Sequence, residues 1–260
     1  MDAVNEVDYD YHNTQALKLS IDKRNRVSYE LTTFKIKPGK KENKIERNLD
    51  IHISLNYETK VSVSESNKYY GEAARKHKYP VYIQYAYSED NGWKYLNTNR
   101  IKRRFNNAEV TEASAHRYDP ESNNPLSTSL KYNYSLSTYK LNTYSTNLAD
   151  LLGVSTDFYL HCDKRKADAY LGYPYVVNNT YKIKIDKGSA FVLNEQFNQT
   201  QENAVGSIRT SIEKISDEEI KITLQYEIRQ DYVEARDWCQ YTELDNAYER
   251  FLKQLIIVTR

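Results

Sequence analysis

A chain of 260 residues, 39% hydrophobic and 28% charged, is long enough to bury one large β core or two smaller ones and too ordinary in composition to be disordered, despite a mean hydropathy of −0.83. Its 37 basic residues against 36 acidic ones leave a formal charge of +1, so no global field draws it to nucleic acid or to anionic lipid. The longest apolar run, Leu255-Ile256-Ile257-Val258, falls far short of the roughly 20 residues of a membrane span, so no span is expected.

The 25 tyrosines supply large apolar area, each with a hydroxyl that still needs a partner. Residues Met1 to Glu6 lack the basic and apolar regions of a signal peptide, and a start at a mature or domain boundary is expected.

Residues 1–13 read as a polar tail. Leu17, Leu19 and Ile21, the turn residues Asp22 to Asn25, and then Val27, Tyr29 and Leu31 predict a hairpin from their period of two. After Pro38-Gly39 and a solvated run at 40–47, Leu49, Ile51, Ile53, Leu55 and Tyr57 alternate as a strand. Helix formers over 68–78 predict a short helix that Pro80 ends. Val81, Ile83, Tyr85 and Tyr87 resume a strand, Asn91-Gly92 turns the chain, and Trp93 and Tyr95 open the returning strand.

The Pro-punctuated stretch 118–125 is the expected domain boundary, giving an N-terminal β-rich domain at 1–118 and a C-terminal β-sandwich with a terminal helix at 119–260. Beyond it, Leu130 to Leu136 and Tyr181 to Ile185 read as strands, with a less regular stretch at 146–163 between them. Ile208, Ile212 and Ile220 to Ile228 form a hairpin around Ser216-Asp217-Glu218-Glu219. Leu244, Ala247, Tyr248, Phe251, Leu252 and Leu255 mark an amphipathic helix with Thr242 near its start, followed by a strand from Ile256 to Thr259. The expected class is mainly β: two β-sandwich-like domains, a short internal helix and one C-terminal amphipathic helix.

No constellation of residues carries chemistry. Cys162 and Cys239 permit one disulfide or none, and two separate buried thiols are expected. His161-Cys162-Asp163 is the only local cysteine–histidine juxtaposition, and neighbours on a strand point to opposite faces. His12, His52, His77, His116 and His161 have no metal-ligand spacing, so neither metal nor cofactor is expected. Seven glycines form no phosphate loop, dinucleotide fingerprint or nucleophile elbow. A glycosidase-type carboxylate pair could be assembled only by the fold. The run Arg100-Ile101-Lys102-Arg103-Arg104 near Trp93 and Tyr95 echoes a nucleic-acid surface, but in a strand it is a solvated face of a neutral chain. Trp93, Tyr95 and Tyr87 are the candidate binding residues, able to stack on a glycan or a peptide; their alternation also fits a core.

Several segments, in order, resemble the region that follows the catalytic domain in large bacterial transglutaminase-like proteins of the Bacteroidetes group. Lys68-Tyr69-Tyr70-Gly71-Glu72-Ala73-Ala74-Arg75-Lys76 is similar to that family's Tyr-Ser-Gly-x-x-Ala-x-x-x-Arg-Lys helix start. Asn124-Pro125-Leu126 before Tyr132 and Tyr134 follows. Lys164-Arg165-Lys166, Gly172-Tyr173-Pro174-Tyr175 and Tyr181 to Gly188 then resemble Arg-Lys…Gly-Tyr-Pro-Phe…Tyr…Ile-x-Ile-Pro-x-Gly, and Gly206 with the final hairpin and helix falls in the same order. The chain departs from the pattern at Asp186-Lys187, where a proline is missing, and at Val233 to Trp238, where Pro-Pro-x-x-Tyr is expected. The resemblance spans about 48–260. It implies that the papain-like core lies outside this chain, that no catalytic residue carries over, and that the setting is the periplasm or cell surface. The expected function is therefore a non-catalytic accessory or interaction module of a transglutaminase-like envelope protein, with a free-standing glycan- or peptide-binding module as the alternative.

Overall fold

The structure is a computed structural model describing residues 15–21, 27–33, 43–55, 58–74, 77, 92–115, 125–136, 143–156, 160–162 and 167–259. It divides into two compact units, residues 1–42 and 43–260. In the first, β1 (Gln15–Ile21) pairs antiparallel with β2 (Val27–Thr33), placing Leu17 opposite Leu31 and Leu19 opposite Tyr29. This is the hairpin that the alternation predicts.

The second unit is built on an eight-stranded mixed sheet. Its strands are β3 (Lys44–Leu55), β4 (Thr59–Tyr69), β5 (Glu109–Ala115), β6 (Leu126–Leu136), β9 (Tyr175–Ile185), β11 (Gln199–Glu202), β12 (Gly206–Lys214) and β13 (Glu219–Ile228). They lie in the order β11-β12-β13-β9-β3-β4-β6-β5. Every neighbouring pair is antiparallel except β3 and β9, which run parallel with Ile51 beside Ile183. The expected boundary at 118–119 falls between β5 and β6, which are hydrogen-bonded to each other in this sheet.

Strict alternation gives the sheet two unlike faces. Val63, Ile51, Ile183 and Ile220 sit side by side on the buried face. The opposite face carries His52, Lys182, Lys184 and Lys221, with Lys184 paired to Glu219 at 3.3 Å and Lys221 to Glu213 at 3.6 Å. The buried face shares one apolar cluster with α2 (Leu148–Leu152), α3 (Trp238–Leu252) and a three-stranded sheet of order β10-β15-β7, whose strands are β7 (Thr143–Asn147), β10 (Ala190–Val192) and β15 (Leu255–Thr259). A two-stranded pair, β8 (Ala169–Tyr170) with β14 (Tyr232–Val233), completes the described strands. The class is mainly β, as the sequence predicts, with the strands of the second unit joined in one large sheet and smaller ones.

Tyrosine is core material. Tyr132, Tyr134, Tyr181 and Tyr226 are buried, and burial pushes their phenols up, so they stay neutral. Their hydroxyls find partners where the fold provides them: Tyr134 donates to the Leu151 carbonyl at 2.7 Å, and Tyr181 accepts from Asn179 at 2.9 Å. Phe105 stacks on Tyr134 with ring centroids 3.8 Å apart.

Two expectations are corrected. Trp93 and Tyr95 lie in a helix, α1 (Gly92–Arg104), and not in a returning strand. Its buried positions are Asn97, Ile101 and, just past the end, Phe105, spaced by four; a polar residue at the first of them hides the helical period. Lys102, Arg103 and Arg104 fall in the last turn, where the helix dipole favours cations. Cys162 and Cys239 form a disulfide, with Cα atoms 4.7 Å apart, and are not separate thiols. The expected strand through Tyr87 and the expected tail at 1–13 lie outside the described residues.

Candidate binding site

A cavity of about 410 Å³ opens between α1 and the end of the sheet where β3 begins, β4 ends and β6 begins. Arg47 occupies the same parity on β3 as Leu49 and Ile51, so the pleat that buries those residues also turns Arg47 inward. Asn67 and Tyr69 follow Val61 and Val63 on β4 in the same way, and Leu126, Thr128 and Leu130 do so on β6. Leu96, Asn97, Asn99, Arg100 and Arg103 of α1 form the wall opposite, and His77 closes one side.

The electrostatics of this cavity are one-sided. Arg47, Arg100 and Arg103 line it, and among the described residues no Asp or Glu does and none of the three guanidiniums is ion-paired. His77 packs edge-on against Tyr69, ring centroids 4.1 Å apart. Burial first, then the nearby Arg47 and Arg100, push its imidazole down to about 4, so it is neutral at neutral pH. Asn67 is only 4% exposed and donates to Glu65 Oε1 at 2.8 Å and to Thr128 Oγ1 at 3.3 Å. Its Oδ1 has no hydrogen-bond partner, and neither does the buried Nε of Arg47. Each such orphan costs about 1–3 kcal/mol. Two unsatisfied groups on the walls of one cavity, an acceptor and a donor, describe a place that a polar ligand would complete.

The residues named from the sequence lie elsewhere or beyond description. Tyr95 sits on α1, 68% exposed, one position before the cavity-lining Leu96. Trp93 is on the same helix, and Tyr87 lies outside the described residues. Of the basic run, Arg100 and Arg103 reach the cavity. The signal that could have found the site is a break in pattern: Arg47 is the one polar residue on the otherwise apolar inward face of β3, and Glu65 and Asn67 interrupt the apolar positions of β4.

A second polar assembly ties α3, at its start and its middle, to the 160–162 segment. Asn246 binds the backbone of Leu160 through both amide atoms, accepting from its N–H at 3.2 Å and donating to its carbonyl at 2.9 Å. Trp238 Nε1 donates to the His161 carbonyl at 3.2 Å, and the disulfide lies beside it. Because the chain has only two cysteines, the bridge leaves no thiol. Among the described residues, no group of three or more His, Cys, Asp or Glu side chains is placed to hold a metal ion.

Residues 142–258, under half of the chain, match a family described as a domain of unknown function with solved-structure structure (DUF3858). The match runs from β7 to β15 and therefore takes in β9 and α3 but not β3 to β6. No curated protein and no solved structure matches the chain.

Proposed function

We propose that the chain is a non-catalytic accessory module of a transglutaminase-like envelope protein, acting by binding and not by chemistry. The observation that carries this reading is the Cys162–Cys239 bridge. It takes both cysteines out of play as nucleophiles, since attack requires a thiolate. It also suits an oxidising compartment such as the periplasm or cell surface, where disulfides persist. The ordered resemblance from Tyr70 to Leu252 supplies the partner. The test is the reading frame upstream of Met1 together with an acyl-transfer assay on the purified chain. A papain-like Cys/His/Asp core upstream and no turnover by the chain alone are expected; an upstream frame without such a core, or turnover by the chain, overturns the reading.

A free-standing glycan- or peptide-binding module is the second reading, and one observation favours it. Tyr170 on β8 and Tyr232 on β14 are exposed and lie with ring centroids 4.9 Å apart, a surface on which a sugar could stack. Tyr95 adds a further exposed ring. Binding on a glycan array that disappears in Tyr232→Ala or Tyr95→Ala would support it; binding unchanged in both would remove it.

A further inference from the structure

We propose that the cavity under α1 binds the carboxylate end of a peptide, with its free carboxylate on the arginines, its last amide N–H on Asn67 and an apolar side chain against the leucines. Each part of that ligand answers a feature of the walls. Arg47, Arg100 and Arg103 line the cavity with no carboxylate partner among the described residues, and a guanidinium binds a carboxylate through two parallel hydrogen bonds. Asn67 Oδ1 is buried and unpaired, so it calls for a donor, which sulfate, fully ionised at neutral pH, does not supply. Leu96, Leu126 and Leu130 require apolar surface. A carboxylate, an N–H and an apolar group within one residue's reach are the constituents of an acylated amino acid. The cavity, at about 410 Å³, is of the size that receives a small ligand.

Neighbouring charge reinforces this assignment. Glu65, inward-facing on β4 between Val63 and Asn67, accepts from the amide nitrogen of Asn67 at 2.8 Å and does not itself line the cavity, so its single charge stands against three guanidiniums that do. The neutral His77 adds a group whose titration reports on the site: burial first, and then Arg47 and Arg100, hold the imidazole down, and a bound carboxylate would offset the two cations. The site does not depend on attachment to a transglutaminase-like protein, so failure of either proposal leaves the other standing.

The test is titration of the purified chain with N-acetyl-L-leucine, followed by calorimetry and by the His77 ring proton in NMR. Saturable binding and a rise in the His77 pKa are expected. N-acetyl-L-leucinamide, lacking the charge, should not bind; 4-methylpentanoate, lacking the N–H, should bind more weakly; inorganic sulfate at matched ionic strength should not compete. Arg100→Gln and Arg103→Gln should each weaken binding about tenfold, as loss of a charge-assisted hydrogen bond does, and Lys102→Gln, outside the cavity, should not. Asn67→Ala should remove the advantage of N-acetyl-L-leucine over 4-methylpentanoate; should that variant fail to fold, the arginine variants on α1 decide alone. Equal binding of the amide, competition by sulfate, or an unmoved His77 resonance overturns the proposal.

Discussion

Single side chains show how burial decides charge. His77 is held neutral by burial and by Arg47 and Arg100, at about 4 against an ordinary 6.5. A depressed histidine stabilises the fold above its unfolded pKa, and that stability is lost as pH falls from 6.5 through 4. With the discount for partial solvent access, the loss should be on the order of 2 kcal/mol. Urea unfolding at pH 7 and pH 4 should therefore show a smaller pH difference in His77→Asn than in the parent chain; an equal difference would place the acid sensitivity elsewhere. Glycine matters where the backbone leaves no room. Gly153, the C-cap of α2, has φ +56°, and an added Cβ would stand 2.7 Å from Phe105 Cζ and 2.8 Å from Arg104 Cβ. Gly153→Ala should cost about 2 kcal/mol in chemical denaturation, from the left-handed backbone and the crowding together. Gly206 is tighter still, with a Cβ position within reach of the Glu227 backbone, which is why no side chain fits at that point of the β12–β13 pairing.

At the scale of elements, legibility followed periodicity. The hairpin of β12 and β13 could be read because the apolar residues of β13 alternate without interruption from Ile220 to Ile228, with Ile212 lying opposite Ile222 and Ile208 opposite Tyr226, and β15 because it opens on a run of four apolar residues. The amphipathic stripe of α3 was equally plain, but its start was not: the helix begins at Trp238, so Thr242 lies inside it and is buried. What sets that start is tertiary, namely the 3-10 turn Ala235–Asp237, the Trp238 bond to His161 and the bridge at Cys239. β4 escaped because its second half, Ser64 to Lys68, is polar; pairing on both sides, with β3 and β6, makes it a strand. The cavity escaped for the same reason, since its arginines come from elements distant in sequence. Closing 77 residues between its ends, the disulfide should contribute about 4 kcal/mol through restriction of the unfolded chain. Cys162→Ser with Cys239→Ser should lower the urea midpoint accordingly, and equal midpoints would show that the 160–162 segment is held by Asn246 and Trp238 alone. Within α3, burial first and then Glu249 raise the Asp245 carboxyl above its usual range. Raised in this way, Asp245 opposes folding at neutral pH and ceases to do so once protonated. Asp245→Asn should thus raise Tm at pH 7 and leave it nearly unchanged at pH 3.

The whole second unit hangs on one seam. β3 and β9 are the parallel pair of the large sheet, joined from Lys44 beside Val176 to Ile53 beside Ile185, and parallel neighbours require a long crossover between them. Everything from β4 to α2 and β8 belongs to that crossover, so strands from both ends of the unit share one buried face. The match at 142–258 begins inside the crossover and holds β9 without its partner β3. A fragment of residues 119–260 would leave β9 with a bare edge and would strip Ile51 and Leu49 from beside Ile183 and Tyr181. Fully burying residues of this kind contributes about 1.5–3 kcal/mol each, against a net stability of about 5–15 kcal/mol for a domain. Losing β3, β4 and β5 together should therefore exceed what the fragment can spare, and an exposed strand edge invites aggregation. A chain beginning at Asn43 keeps every strand of the sheet and should retain the main thermal transition of the 260-residue chain. Circular dichroism melts of the two truncations separate the outcomes: 43–260 is expected to unfold in one cooperative step, and 119–260 to show none or to precipitate. A cooperative melt of 119–260 at the temperature of the full chain would mean that the seam contributes little and that residues 119–260 are a domain in their own right.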